Sequence, residues 1–315
     1  MSSLLFITDL HIKISTFSAL DELHDNLKEW FLTNKVDYIV IGGDTLDTHE
    51  KVCVHALNKA YNFLQFLCKH AHVFILVGNH DYINNSQFLT DSHWLNVLKP
   101  WPNITVVDAV VIKKIDGKTV AFIPYVPPGL FNNALKTVSI PDNLCLVFAH
   151  QEFKGCKLGC ILSEQGDTWD GPLVISGHIH ERHTVNNKDV YNVVYPGSSI
   201  CHSTVYSSYG PCVVTTNGDL TYLGFQTSKN VKKIQAPLNI KDTDANNQDK
   251  IHLIGTEADI AQSLRNPLIK PVLKRGKFIV SDVVIYENNW EKYILENLKT
   301  KALLDDYEEI SRNVK

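Results

Sequence analysis

No apolar stretch in this 315-residue chain approaches the roughly 18 to 20 residues that crossing a bilayer requires, so no membrane-spanning helix is expected. The start, Met1-Ser2-Ser3-Leu4, runs straight into a strand-like segment, and no signal peptide is expected. A disulfide framework is missing as well. The seven cysteines are an odd number, which fits reduced thiols in an intracellular compartment, cytoplasmic or nuclear. Cys156 and Cys160 alone lie close together, and no second pair follows at finger-like spacing, which argues against a structural zinc site. Internal repeats and low-complexity tracts are absent too. A net charge of -4 excludes a surface coated in positive potential, although it leaves nucleic acid open as a partner. The charge is uneven, with 15 Lys and Arg against 21 Asp and Glu in residues 1–228, and 15 against 13 in residues 229–315.

What is present is the composition of a soluble globular protein, 44% apolar and 20% charged. The length suits one large core with a smaller appendage. Strand-like and helix-like segments alternate over the first two-thirds, as in an α/β sheet flanked by helices. Leu20, Leu23, Leu27 and Phe31 give one helical period, and Val52 to Cys68 gives another. Asp116-Gly117 and Asn217-Gly218 signal hairpins, the second expected to close a second sheet packed on the first. Residues 229–250 turn polar and aperiodic, and a small α+β unit follows. The expected organisation is a catalytic domain over 1–228 and a small α+β region over 229–315.

Five polar clusters each follow an apolar run: Asp9-Leu10-His11, Gly43-Asp44-Thr45-Leu46-Asp47, Gly78-Asn79-His80-Asp81, His150, and Gly177-His178-Ile179-His180. Open α/β sheets gather ligands at the carboxyl ends of their strands. Carboxylates mixed with imidazoles suit divalent manganese, iron or zinc. In D-x-H on an extended segment, Asp9 and His11 would project from one face and converge on one cation. Asp44 follows a double glycine that lets the backbone come close, and its two oxygens are a natural bridge between ions about 3.5 to 4 Å apart. Asn79 offers a carbonyl oxygen, while His150, His178 and His180 offer ring nitrogens. Water shared by two such cations would be deprotonated near neutral pH and attack phosphorus in line. His80 is the candidate to protonate the leaving alkoxide, with Asp47 expected to orient its other ring nitrogen. His49, His183 and His202 are left open by their contexts, and His24, His55, His70, His72, His93 and His252 read as structural.

This order of motifs resembles the calcineurin-like metallophosphoesterase superfamily over roughly residues 1 to 225. The resemblance implies an α/β two-sheet sandwich flanked by helices and a small α+β C-terminal capping region. It further implies one metal held by Asp9, His11, Asp44 and His180, and another by Asp44, Asn79, His150 and His178. Within the superfamily the chain is most similar to the SbcD-type DNA-repair nucleases. The similarity rests on Gly43-Asp44-Thr45-Leu46-Asp47-Thr48, Ile123-Pro124-Tyr125-Val126-Pro127-Pro128, the Tyr195-Pro196-Gly197-Ser198 turn and the α+β tail. Archaeal and eukaryotic members typically carry His at the position of Asp47, so the chain follows the bacterial and phage pattern.

The resulting expectation is a dinuclear phosphodiesterase that cuts DNA, with manganese as the first choice of metal and iron, zinc or magnesium as others. Lys270, Lys274, Arg275 and Lys277 form a basic cluster suited to DNA phosphates. An ATPase subunit of the SMC-like ABC type and a second copy of the chain are the implied partners, although the tail lacks an obvious hydrophobic helix pair for docking the ATPase. The same metals would equally serve a phosphomonoesterase, a small-nucleotide phosphodiesterase or a protein phosphatase, because substrate class is set by the surrounding loops.

Overall fold

The structure, a computed structural model, describes residues 1–159, 161–187, 190–202, 210–225, 231–235 and 250–254. The chain divides into a unit of Met1–Gln235 with Ile240–Ile254 and a second of Ala236–Asn239 with Gly255–Lys315. The second unit lies outside the described residues, as does most of the region expected to cap the site.

The first half alternates strands and helices: β1 (Ser3–Ile7), α1 (Phe17–Trp30), β2 (Tyr38–Ile41), α2 (Val54–Leu67), β3 (His72–Leu76) and β4 (Ile104–Val107). Then come β5 (Val111–Ile115), β6 (Lys118–Ile123), α3 (Phe131–Leu135), β7 (Leu144–His150), the short hairpin β8 (Lys157–Leu158) and β9 (Ile161–Leu162), and β10 (Leu173–Gly177). Strands β11 (His183–Asn187), β12 (Val190–Tyr195), β13 (Cys212–Thr215), β14 (Leu220–Tyr222), β15 (Val231–Gln235) and β16 (Lys250–Ile254) complete the described elements. β15 and β16 pair in parallel, so a strand falls where the sequence reads as polar linker. Two six-stranded sheets form, in the orders β14-β13-β1-β2-β3-β4 and β11-β12-β10-β7-β6-β5.

The helices follow their apolar spacing. α1 buries Leu20, Leu23 and Leu27, and it stops at Trp30, where Asn34 turns its side-chain amide onto the Trp30 carbonyl at 2.9 Å. α2 buries Ala56, Ala60, Phe63, Leu64 and Leu67. β1 shows why its apolar run is unbroken: Leu5 and Ile7 face the helix layer while Leu4 and Phe6 face the other sheet. Between the sheets, Phe74 stacks on Phe122 at 4.2 Å between ring centres, and Phe148 lies against Phe6 and Phe122 at 5.7 and 5.5 Å. Each fully buried phenylalanine contributes about 1.5 to 3 kcal/mol through removal from water. The two sheets are thereby locked face to face, and their strand ends are fixed relative to one another.

One expectation is corrected. The hairpin turning at Asn217-Gly218 extends the first sheet, with β13 antiparallel to β1 from Ser3↔Thr215 to Phe6↔Cys212. Cys212 and Val214 point into the layer between the sheets from the first-sheet side, so their apolar alternation suits either sheet and the edge of β1 decides the pairing.

Candidate metal centre

β1, β2 and β3 run parallel in one sheet, and β7 and β10 run parallel in the other. Their carboxyl ends meet at one edge, stitched by backbone. The Asp9 amide donates to the Gly43 carbonyl at 3.2 Å, the Ser199 amide to the Thr8 carbonyl at 3.0 Å, and the His178 amide to the Asp9 carboxylate at 3.1 Å. Close approach demands glycine, most directly where the two sheets meet. A Cβ on Gly43, whose φ is +97°, would lie 2.3 Å from His150 Nδ1, and one on Gly177 would lie 2.2 Å from Thr8 Oγ1.

Asp9 and His11 converge by a different route from strand alternation. β1 ends at Ile7, and both residues take left-handed backbone, φ +53° and +39°. Asp44 and His178 do the same at +50° and +80°. Such conformations cost on the order of 1 to 3 kcal/mol each and persist only where the surroundings over-determine them. Four of the seven expected ligands therefore sit on strained backbone.

All seven come together. His11 Nε2 lies 3.3 Å from Asp44 Oδ2 and 3.0 Å from His180 Nε2, and His180 Nε2 lies 3.7 Å from Asp9 Oδ1. On the other side His150 Nε2 lies 3.3 Å from Asp44 Oδ1 and 3.1 Å from Asn79 Oδ1, which is 2.9 Å from His178 Nδ1. Asp44 thus offers one oxygen to each half. Asp9, His11 and His180 form one set with mutually close ligand atoms, and Asp44, His150 and His178 form another.

The donor chemistry fits two cations. Asp9 and Asp44 are almost fully buried, and the side chains turned toward them are mainly imidazoles. Buried carboxylates need a counter-charge. In the metal-free chain a proton does part of that duty: burial opposes charge on His150, but Asp44 and Asp9 outweigh it and raise its pKa to about 9. His11 is raised in the same way by Asp44, Asp47 and Asp9 against its burial. Burial also opposes charge on Asp44, yet His150 and His11 hold it well below the usual carboxylate range. Burial, reinforced by repulsion from His150, pushes His178 down to about 4 and keeps its ring nitrogen free to ligate. His150 Nδ1 lies 2.6 Å from the Gly42 carbonyl, which orients the ring so that Nε2 faces the pit.

His80 sits at the rim, its side chain 34% exposed, with its backbone amide donating to Asp44 Oδ1 at 2.9 Å. Burial lowers its ring pKa despite Asp44. Asp47, expected to orient His80, is shared between two imidazoles. Asp47 Oδ1 bonds His11 Nδ1 at 3.1 Å and stands 3.8 Å from His80 Nδ1, while Oδ2 pairs with Lys13 Nζ at 2.6 Å. The His11 and His80 rings meet edge to face at 4.7 Å on either side of Asp47 Oδ1. His80 also stacks on His49, at 5.0 Å and 18° between planes, and His49 is itself 3.0 Å from the Tyr82 carbonyl.

Three contributors escape a reading of the motifs. Asp81, buried, accepts from the amides of Thr45, Leu46 and Gly78 and from Trp94 Nε1, and so ties the loops after β2 and β3 together. Thr8 bonds Asp9 Oδ2 at 2.8 Å. His202 Nε2 donates to the Asp9 carbonyl at 2.5 Å, and its ring lies 5.0 Å from those of His11 and His180. Asp81 stands inside a visible motif, whereas nothing in the sequence around Thr8 or His202 signals a role. Lys270, Lys274, Arg275 and Lys277 lie outside the described residues.

The family model of the calcineurin-like phosphoesterases matches residues 2–182. "Putative phosphoesterase 244L" of Invertebrate iridescent virus 6 is 47% identical over 205 residues, 64% of this chain and 71% of its own length. "Putative phosphoesterase 078R" of Invertebrate iridescent virus 3 is 45% identical over 206 residues, again 64% of this chain but only 58% of that protein. Among solved structures, one described as a novel archaeal phosphodiesterase aligns at 15% identity and TM-score 0.39, covering 70% of this chain and 98% of its own. A protein of unknown function from Aquifex aeolicus aligns at 16% identity and TM-score 0.30, covering 48% and 80%.

Proposed function

The chain belongs to the calcineurin-like phosphoesterases, and from that premise we propose that it is a phosphodiesterase whose substrate is DNA. The observation that carries the reading is the single pit in which Asp44 turns one oxygen to His11 and the other to His150, both at 3.3 Å. Two divalent ions bound there supply a solvent nucleophile near neutral pH and offset charge on the phosphoryl oxygens. Asp9, His11, Asp44 and His180 would hold one, and Asp44, Asn79, His150 and His178 the other.

The chain's own residues do the rest. Asp47 accepts the Nδ1 proton of His11 and so aims Nε2 at the pit. His80, at the rim, is placed to give a proton to the departing alkoxide, and its stacking on His49 fixes the plane of the ring.

Charge favours a diester over a monoester. A dianionic monoester is well served by fixed cationic side chains. Lys13, the lysine beside the pit, is committed to Asp47, and Arg182 lies over the Tyr222 ring at 3.4 Å. The openness of the site favours a polymer: the His80 and His180 side chains are 34% and 36% exposed, so a long strand can lie across the rim. With manganese, the full chain is expected to hydrolyse both bis(p-nitrophenyl) phosphate and linear duplex DNA. Turnover of monoesters alone would refute this and mark a phosphatase. Turnover of the small diester without DNA would limit it to small nucleotides.

A further inference from the structure

Deepening the phosphodiesterase reading, on which it rests, we propose that a cavity beside the metal centre receives a nucleobase of the substrate. The cavity, of about 450 Å³, opens between the turn after His11 and the loop leading into α2. That volume lies in the range of small-ligand pockets, roughly 300 to 1,000 Å³. Its floor is apolar: Ile12, Leu46 and Ala56 line it and are buried. Ile14, 66% exposed, and Cys53, also exposed, stand at its mouth. An isoleucine held this far into water has no packing reason to be there and presents a face to whatever enters.

The cavity shares a wall with the site. Asp47 lines it and bonds both His11 and Lys13, at 3.1 and 2.6 Å. A group seated in it is therefore one residue removed from the ligand shell. Lys13 and Lys51 also line it. An apolar slot with ammonium groups at its edge matches a flat base flanked by phosphates: every base has a face that an apolar wall accepts, and lysines meet the backbone without reading sequence. Lys13 is held by Asp47, but a purely apolar protein segment would leave the Lys51 ammonium at the edge without a partner, so the charge favours a nucleotide.

Two measurements on the full chain test this. In chelator, peptide-resolved alkylation by iodoacetamide should show Cys53 slowed at least tenfold by saturating thymidine 5′-monophosphate and not by inorganic phosphate, with Cys68 as the internal control. In manganese, Cys53→Trp should lower the ratio of kcat/KM for thymidine 5′-(p-nitrophenyl phosphate) to that for bis(p-nitrophenyl) phosphate at least tenfold. Equal protection by nucleotide and phosphate, no protection at all, or an unchanged ratio would each overturn the assignment. Alkylation needs neither metal nor turnover. Wild-type protein that hydrolyses neither diester would therefore refute the phosphodiesterase reading, while the alkylation result still decided the cavity.

Discussion

Replacing Asp81 by alanine should unfasten the metal centre without removing a ligand. The carboxylate takes four N–H groups, from Thr45 at 3.2 Å, Leu46 at 3.2 Å, Gly78 at 3.0 Å and Trp94 Nε1 at 2.8 Å. Bonds to a charged acceptor are worth about 1.5 to 3 kcal/mol each, so the gross contribution is roughly 6 to 12 kcal/mol. Against this stands the burden of a buried charge. Burial, with Asp44 nearby, raises the pKa of Asp81 to about 6 even though the Trp94, Gly78 and Leu46 donors pull it down. Water entering the space left by alanine recovers part of the remainder. The expected loss is about 3 to 5 kcal/mol in urea unfolding of the metal-free chain. Manganese affinity should fall as well, because the loops carrying Asp44 and Asn79 lose their common anchor. Asp81→Asn, with one acceptor oxygen left and an NH₂ turned toward donors, should fall between wild type and alanine. A loss below about 1 kcal/mol with undiminished manganese affinity would refute the anchoring argument.

Three further outcomes are expected. His80→Ala should lower kcat by about 10²- to 10⁴-fold while manganese stoichiometry, measured by calorimetry, stays as in wild type; full activity would remove the acid assignment. Asp47→Asn should weaken manganese binding about 10- to 100-fold by loosening His11, and an unchanged binding isotherm would count against that role. Acid should destabilise the fold through His93 and Asp108, which stand 3.2 Å apart. Burial lowers the His93 pKa against the pull of Asp108, so the unfolded chain takes up a proton that the fold resists, and stability should decline as pH falls below about 6.5. Asp108 is depressed by Lys99 and His93 against its burial, so its contribution should disappear as pH falls through and below about 3.9. Thermal melts from pH 7.5 to pH 2 read both, and an Asp108→Asn chain that melts as far below wild type at the acid end as at pH 7.5 would contradict the second.

The site was legible because each ligand follows an apolar run, and parallel strands buried on both faces leave their polar residues at their ends. Leu4 to Ile7 before Asp9, and Leu144 to Ala149 before His150, carry that signal without ambiguity. The geometry at the strand ends was less legible. Alternation predicts an extended Asp9 and His11, whereas the left-handed turns seen there arise from contacts between the sheets, such as His178 on Asp9 and Ser199 on Thr8. At the same turn Asp47 is shared, bonding His11 at 3.1 Å and standing 3.8 Å from His80. Strand pairing of β13 was hidden for a related reason: an apolar alternation fixes which face of a strand is buried, not which sheet supplies its neighbour. Asp81 and His202 act through backbone groups, and a backbone partner leaves no mark on the spacing of side chains.

The central claim is that one buried carboxylate joins two cations. Calorimetric titration of the chelator-stripped full chain with manganese tests it most directly. Two ions should bind per wild-type chain, and folded Asp44→Asn should bind at most one tightly, because the single amide oxygen left can serve one half but cannot join two. A single ion on the wild type, or two still bound to Asp44→Asn, would contradict it.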